Sequence, residues 1–369
     1  MIEQLLSLPI EQKIGQLFFI GIPGPSLDDA THGLLTEVSP GGICLFARNI
    51  REAIQTRDLL NGIRELLPVA PFLSLDQEGG LVDRLRRIVT PMPAANKIRN
   101  AVQASHIATM IAETIRILGF NMDFAPVVDV MDEARTKYSN GLFSRAFGQS
   151  KEEVVSMAGA FLTALRDNGC LTSLKHFPGL GASQVDSHED LPQVDLVQDE
   201  LYSKDLYPYH KFIGEGKVDS IMAAHASFPR LNLQERDQNG KLLPSSLSYN
   251  FITALLREEL GFNGLVLTDD LEMGAIIKNY GIGEACKMAI YAGEDMLSIC
   301  ADPSRIREGH SAVVTAFNNG EIPEERVNES LRRIAALKSR ISQPVPFDTS
   351  RLETLSAEIA DINDQLDRN

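Results

Sequence analysis

Short runs of apolar residues recur along the whole chain, and most are apolar at successive rather than alternate positions. Eight stand out: LFFIGI (17–22), GGICLF (41–46), PFLSLD (71–76), FNMDFAPV (120–127), LTSLKHF (171–177), SIMAAH (220–225), GLVLTD (264–269) and DMLSIC (295–300). A strand covered on both faces has no solvent side to mark with polar residues. These runs therefore read as buried parallel strands.

Between them the hydrophobic period becomes helical. In 51–67, Ile54, Leu59, Leu60 and Ile63 recur at helical spacing. The helical stretches 106–119 and 151–169 stop at Gly119 and Gly169. A further one, 246–261, opens on a serine cap and ends at Gly261. The last, 323–341, opens with Pro323 in its first turn. Eight strand–helix alternations predict an α/β fold, a (β/α)8 TIM-type barrel, as a single domain over residues 1–341. A doubly wound open sheet is the alternative. No GxGxxG opens a helix after the first strand, so its dinucleotide-binding version has no support. The segment 342–369 differs: SQPVPFDTS is extended, and LETLSAEIADINDQL reads as a small acidic helix. It is expected to be a C-terminal extension packed on the barrel surface.

Composition adds exclusions. With 369 residues, 44% hydrophobic and 23% charged, the chain has the make-up of a globular protein. Its net charge of −15 and lack of a basic tract argue against nucleic acid as a partner. Cys44, Cys170, Cys286 and Cys300 have no zinc-site spacing and are expected to be buried free thiols, which suits a reducing compartment. The opening MIEQLLSLPIEQK has neither the cationic nor the long apolar region of a signal peptide, and no run of about 18 apolar residues occurs. A cytoplasmic protein without membrane association is expected.

The polar residues cluster where the strands end. Arg48–Asn49 follow the second strand, and Asp76 and Glu78 the third. Asp123 and Asp129 lie within and beyond the fourth, Lys175–His176 end the fifth, His225 the sixth and Asp269–Asp270 the seventh. Such strand ends are what an active site on the C-terminal face of a barrel requires. After the fifth strand, a glycine-containing loop carries Asp186 and His188 two residues apart. A carboxylate so close can hold an imidazole, fix its tautomer and raise its pKa. Asp269 could be a nucleophile, a metal ligand or a cap; Asp270, nearer the following turn, is the better cap. Two readings follow. In one, Asp269 is a covalent nucleophile and a protonated His188, held by Asp186, is the general acid of a retaining glycosyl transfer to water. In the other, His176, His188, His225 and the aspartates hold a catalytic metal. Against the metal, no HxH or HExxH occurs, and Lys175 places a cation beside His176.

The motifs IGQLFFIG (14–21), GGICLFARN (41–49), LDQEGGLVDRL (75–85), DFAPVVDV (123–130), SRAFG (144–148), KHFPG (175–179), DSHEDLP (186–192), MAAHASFP (222–229), LTDDLEMGAI (267–276) and AGEDMLSIC (292–300) occur in that order. The sequence resembles glycoside hydrolase family 3 over roughly residues 10–340, in its single-barrel β-N-acetylglucosaminidase branch. The resemblance implies a retaining exo-glycosidase with Asp269 as nucleophile, His188 as acid/base and Asp186 as its partner. Asp76, Arg84, Arg145, Lys175 and His176 match positions that hold the cleaved sugar. It implies an N-acetylglucosamine-containing oligosaccharide or muropeptide as substrate, encountered during cell-wall recycling. No cofactor or metal is expected, because both catalytic groups are side chains. A phosphorylase or a β-glucosidase on the same barrel stays open. One departure is visible: the family often reads KHFPGHG, whereas Leu180 gives KHFPGLG here.

Overall fold

A computed structural model describes residues 1–138, 140–184 and 191–368. All eight apolar runs form strands: β1 (Phe18–Ile20), β2 (Gly42–Cys44), β3 (Phe72–Leu75), β4 (Met122–Asp123), β5 (Leu171–Phe177), β6 (Ser220–Ala223), β7 (Leu265–Asp270) and β8 (Met296–Ile299). Each pairs in parallel with its sequence neighbours, and β1 closes the barrel against β8. The register at closure is Ile20 opposite Ile299 and, on the other side, Ile43. Nearly every strand residue is buried, which explains the uninterrupted apolar runs. Within the barrel, the Phe19 ring lies parallel to Phe72 at 6.1 Å and edge-on to Phe124 at 5.1 Å.

Helices cover the barrel, among them Ala53–Leu66, Ala101–Leu118 and Lys151–Asp167. Gly119 caps its helix at φ +102, and Gly169 follows the next at φ +78. The stretch 246–261 departs from expectation. Residues Ser245–Leu247 form a separate 3-10 turn, and Asn250–Glu259 is π-helical. The serines cannot cap because their hydroxyls face inward: Ser245 Oγ donates to the Ala224 carbonyl at 2.7 Å, and Ser246 Oγ lies 2.7 Å from His225 Nδ1. Pro323 sits just before its helix, Glu324–Lys338, rather than inside it.

The C-terminal helix, Thr349–Arg368, buries Leu352, Leu355, Ile359 and Leu366. Arg351 grips Glu113 of the helix Ala101–Leu118 with two bonds of 2.6 and 2.7 Å. All four cysteines are buried and free. Among the described residues, no helix is long and apolar enough to cross a membrane.

Candidate active site

The C-terminal ends of the strands surround a cavity of about 210 Å³. Asp76, Arg84, Arg145, Lys175, His176 and Asp269 all line it. Asp186 and His188 lie outside the described residues.

Five of the lining groups belong to one charged network. Lys175 Nζ sits 2.6 Å from Asp76 Oδ1 and 2.7 Å from Glu78 Oε1. Arg84 reaches the other oxygen of Asp76 at 3.4 Å. Arg145 clasps Glu78 with two bonds of 2.8 and 2.9 Å, and its Nη2 lies 3.3 Å from His176 Nε2. A guanidinium only donates, so Nε2 accepts and the ring proton sits on Nδ1, facing Asp129 at 2.8 Å. Burial alone would strip the charge from these groups. The partners outweigh it: despite burial, Asp76 and Glu78 raise the Lys175 pKa, while Lys175 and Arg84 hold Asp76 below the usual carboxylate range.

Local structure presents each side chain. A hairpin pairing Gln77–Gly79 with Val82–Asp83 delivers Arg84 to the rim. Gln77 Oε1 accepts the backbone N–H of Arg84 at 2.9 Å, and Asp83 fastens the hairpin through the N–H groups of Leu85 and Met92. Arg145 ends a 3-10 turn in the loop after β4. Lys175 and His176 are on β5 itself. Leu180 also lines the cavity; its N–H donates to Asp129 Oδ1 at 2.6 Å, which ties the β5 loop to the support of His176. Gly181 packs so closely on the Val130 carbonyl that a Cβ would lie 2.2 Å from its oxygen, so this loop position excludes a side chain.

At the end of β7, Asp269 Oδ1 accepts the N–H of Asp270 at 2.8 Å, leaving Oδ2 without that restraint. Asp270 also lines the cavity. It does not cap the next helix. Its Oδ1 accepts the N–H groups of Glu272 and Cys300 at 3.0 and 3.3 Å, closing the turn and binding it to β8. Burial, with the charges of Glu272 and Asp269, pushes its carboxyl up to about 7.

Not every polar strand end faces the cavity. Arg48 and Asn49 donate to backbone carbonyls, Ile22 among them. Asp123 is fully buried and accepts the Gln77 N–H at 2.9 Å. His225 Nε2 donates to the Asp270 carbonyl at 3.1 Å. These residues brace the loops that carry the site. Glu78 and Asp129, by contrast, hold the groups the sequence singled out. Only their position just past a strand hinted at this.

A parallel barrel whose strand tips crowd carboxylates and cations around one cavity is built as an enzyme site on the C-terminal face. The glycosyl hydrolase family 3 N terminal domain matches residues 9–337, and the chain belongs to that family. A β-hexosaminidase A of Pseudoalteromonas piscicida is 31% identical over 333 residues, which cover 84% of this chain; the chain spans only 55% of that relative's length. A β-hexosaminidase of Tolumonas auensis is 31% identical over 307 residues, 81% of this chain and 86% of the relative. Among solved structures, a family 3 β-N-acetylglucosaminidase from Paenibacillus sp. str. FPU-7 superimposes with a TM-score of 0.86 at 34% identity. That match covers 96% of this chain and 69% of the other.

Proposed function

We propose that this protein is a retaining exo-β-N-acetylglucosaminidase acting through a glycosyl ester on Asp269. One observation carries the reading: Asp269 opens onto the same cavity as the Asp76–Lys175–Glu78–Arg145 network. Asp269 Oδ2 attacks the anomeric carbon as the bond to the leaving oxygen breaks. His188, partnered by Asp186, gives that oxygen a proton. It then takes a proton from the water that displaces Asp269 from the same carbon. Both steps invert, so configuration is retained. Asp76 accepts sugar hydroxyls, in bonds that strengthen as positive charge develops on the ring, while Arg84, Arg145 and Lys175 supply charge-assisted donors that fix the substrate's oxygens. His176, held by Asp129, completes the wall.

In this reading residues 1–341 are the catalytic barrel and 342–369 an extension on its surface. Terminal N-acetylglucosamine is removed from glycans, with muropeptide fragments of cytoplasmic cell-wall recycling as the natural source. The similarity to named β-hexosaminidases supports the sugar; the recycling role rests on the family resemblance.

Chromophore release from an aryl β-N-acetylglucosaminide, beside the aryl β-glucoside, tests the proposal. Turnover should favour the acetamido substrate, survive EDTA, need no phosphate and vanish in Asp269→Ala. A glycosyl phosphate as sole product would make the enzyme a phosphorylase. Full activity in Asp269→Ala would remove Asp269 from the nucleophile's role. Release of N-acetylglucosamine from a muropeptide tests the natural substrate separately.

A further inference from the structure

In a chain of net charge −15, three arginines gathered together and bonded only to neutral oxygens stand out. Arg57, Arg64 and Arg116 lie together at the N-terminal end of the barrel, opposite the cavity described above. Arg57 donates to the carbonyls of Ile117 and Val345, both at 2.9 Å. Arg64 donates to Asn61 Oδ1 and the Gly119 carbonyl, both at 2.8 Å. Arg116 donates to the carbonyls of Phe120 and Gln343. Each guanidinium carries five N–H groups, and two bonds are made by each. Arg57 Nε is buried without a partner among the described residues.

Helix C-termini attract arginines, and two helices end here. That attraction explains the carbonyl bonds but not the gathering of three like charges. Burial lowers the pKa of Arg64, and repulsion by Arg57 and Arg116 lowers it further; only the exposed Glu65 opposes them. Beside the cluster is a cavity of about 80 Å³ lined by Arg64, Arg116, Gly119, Asn121, Ser342 and Gln343. Arg64 Nη2 and Arg57 Nε lie 3.6 and 3.7 Å from where a Cβ on Gly119 would stand, which places both guanidinium groups beside the same helix end.

We infer that this cluster binds a small oxyanion of the phosphate class, taken by the unused N–H groups of Arg64 and Arg116. Guanidinium forks match phosphate oxygens in charge and geometry. Because Arg57 and Arg116 also hold the carbonyls of Val345 and Gln343, the bound anion would fasten the segment leading to the C-terminal helix.

The test is thermal unfolding of the full chain in inorganic phosphate against chloride at equal ionic strength and pH. It is run with 31P NMR titration and repeated with glucose 1-phosphate to separate a free anion from an ester. Wild type should show a saturable rise of about 3 °C with at least one of the two ligands. Added N-acetylglucosamine should leave it unchanged, which separates this site from the catalytic cavity. The rise should be absent in Arg64→Gln with Arg116→Gln. If that pair fails to fold, Arg64→Lys keeps the charge, loses the fork and should weaken binding at least about fivefold. No saturable effect beyond chloride, or one that the double variant keeps, would leave these arginines as carbonyl caps and overturn the site.

Discussion

The two ends of the barrel use the same residue types for opposite purposes. At the N-terminal end, Asp295 is fully engaged. Its Oδ2 takes the Val266 N–H at 3.0 Å and Arg257 at 2.6 Å, and its Oδ1 takes Ser330 at 2.9 Å and Arg333 at 3.0 Å. Asp219 is fixed in the same way to the N–H and hydroxyl of Thr172, both at 3.1 Å, with Arg340 at 2.7 Å. Both carboxylates are stitched into strand starts; Asp219 also borders a surface groove, but its two oxygens are already taken up by Thr172 and Arg340. At the C-terminal end, Asp76, Lys175 and Arg145 also form buried ion pairs, but each lines open space as well. Arg84 Nε is buried there with no acceptor among the described residues. What separates scaffold from site is where the unused hydrogen-bonding capacity points.

The comparison breaks hardest at Asp269. Asp269→Ala should lower kcat by at least about 10³-fold while leaving Tm nearly unchanged, measured by aryl-substrate kinetics beside calorimetry. Asp295→Ala should do the reverse. Breaking a buried pair costs about 3–5 kcal/mol, read by urea unfolding, while the protein still folded keeps its kcat. Lys175→Met falls between them, because it removes charged donors from the site and leaves Asp76 and Glu78 facing each other. It should lower kcat/KM by about 10²-fold.

The smallest effect is the most diagnostic, because each end holds a group whose pKa is moved to about 7, from opposite directions. Burial pushes Lys338 down to about 7, with Gln16 Oε1 at 2.8 Å as its hydrogen-bond partner. Between pH 7 and its unfolded value the unfolded chain holds the extra proton, so this group makes stability rise with pH. Asp270 is raised to about 7, so below that the folded state holds the extra proton and stability falls as pH climbs from about 4 to 7. Asp270→Asn should therefore flatten the acid side of a Tm-versus-pH curve, and Lys338→Met the alkaline side.

Much of this was legible in the sequence. Strands buried on both faces leave contiguous apolar runs, and all eight could be read. Asp76, Lys175, His176 and Asp269 could be placed because a strand end fixes which face of the barrel a residue reaches. The roles of Arg48, Asn49, Asp123 and His225 could not, since a strand-end side chain can turn to the cavity or back into the loops. Glu78 and Asp129 act on partners 67 and 47 residues away, contacts that local pattern does not encode. Ser246 has the residue type of a helix cap, but its hydroxyl pairs with His225, a contact no local pattern encodes. The grouping of Arg57, Arg64 and Arg116 depends on two helix ends and a C-terminal segment meeting in space.

The most direct test of the account is to trap the intermediate. A 5-fluoro N-acetylglucosaminyl fluoride slows breakdown of a glycosyl ester, and mass spectrometry of the digested protein locates the label. The account predicts one labelled peptide, modified on Asp269. A label on Asp76 or Asp270, or turnover of the reagent with no labelled carboxylate at any time, would contradict it.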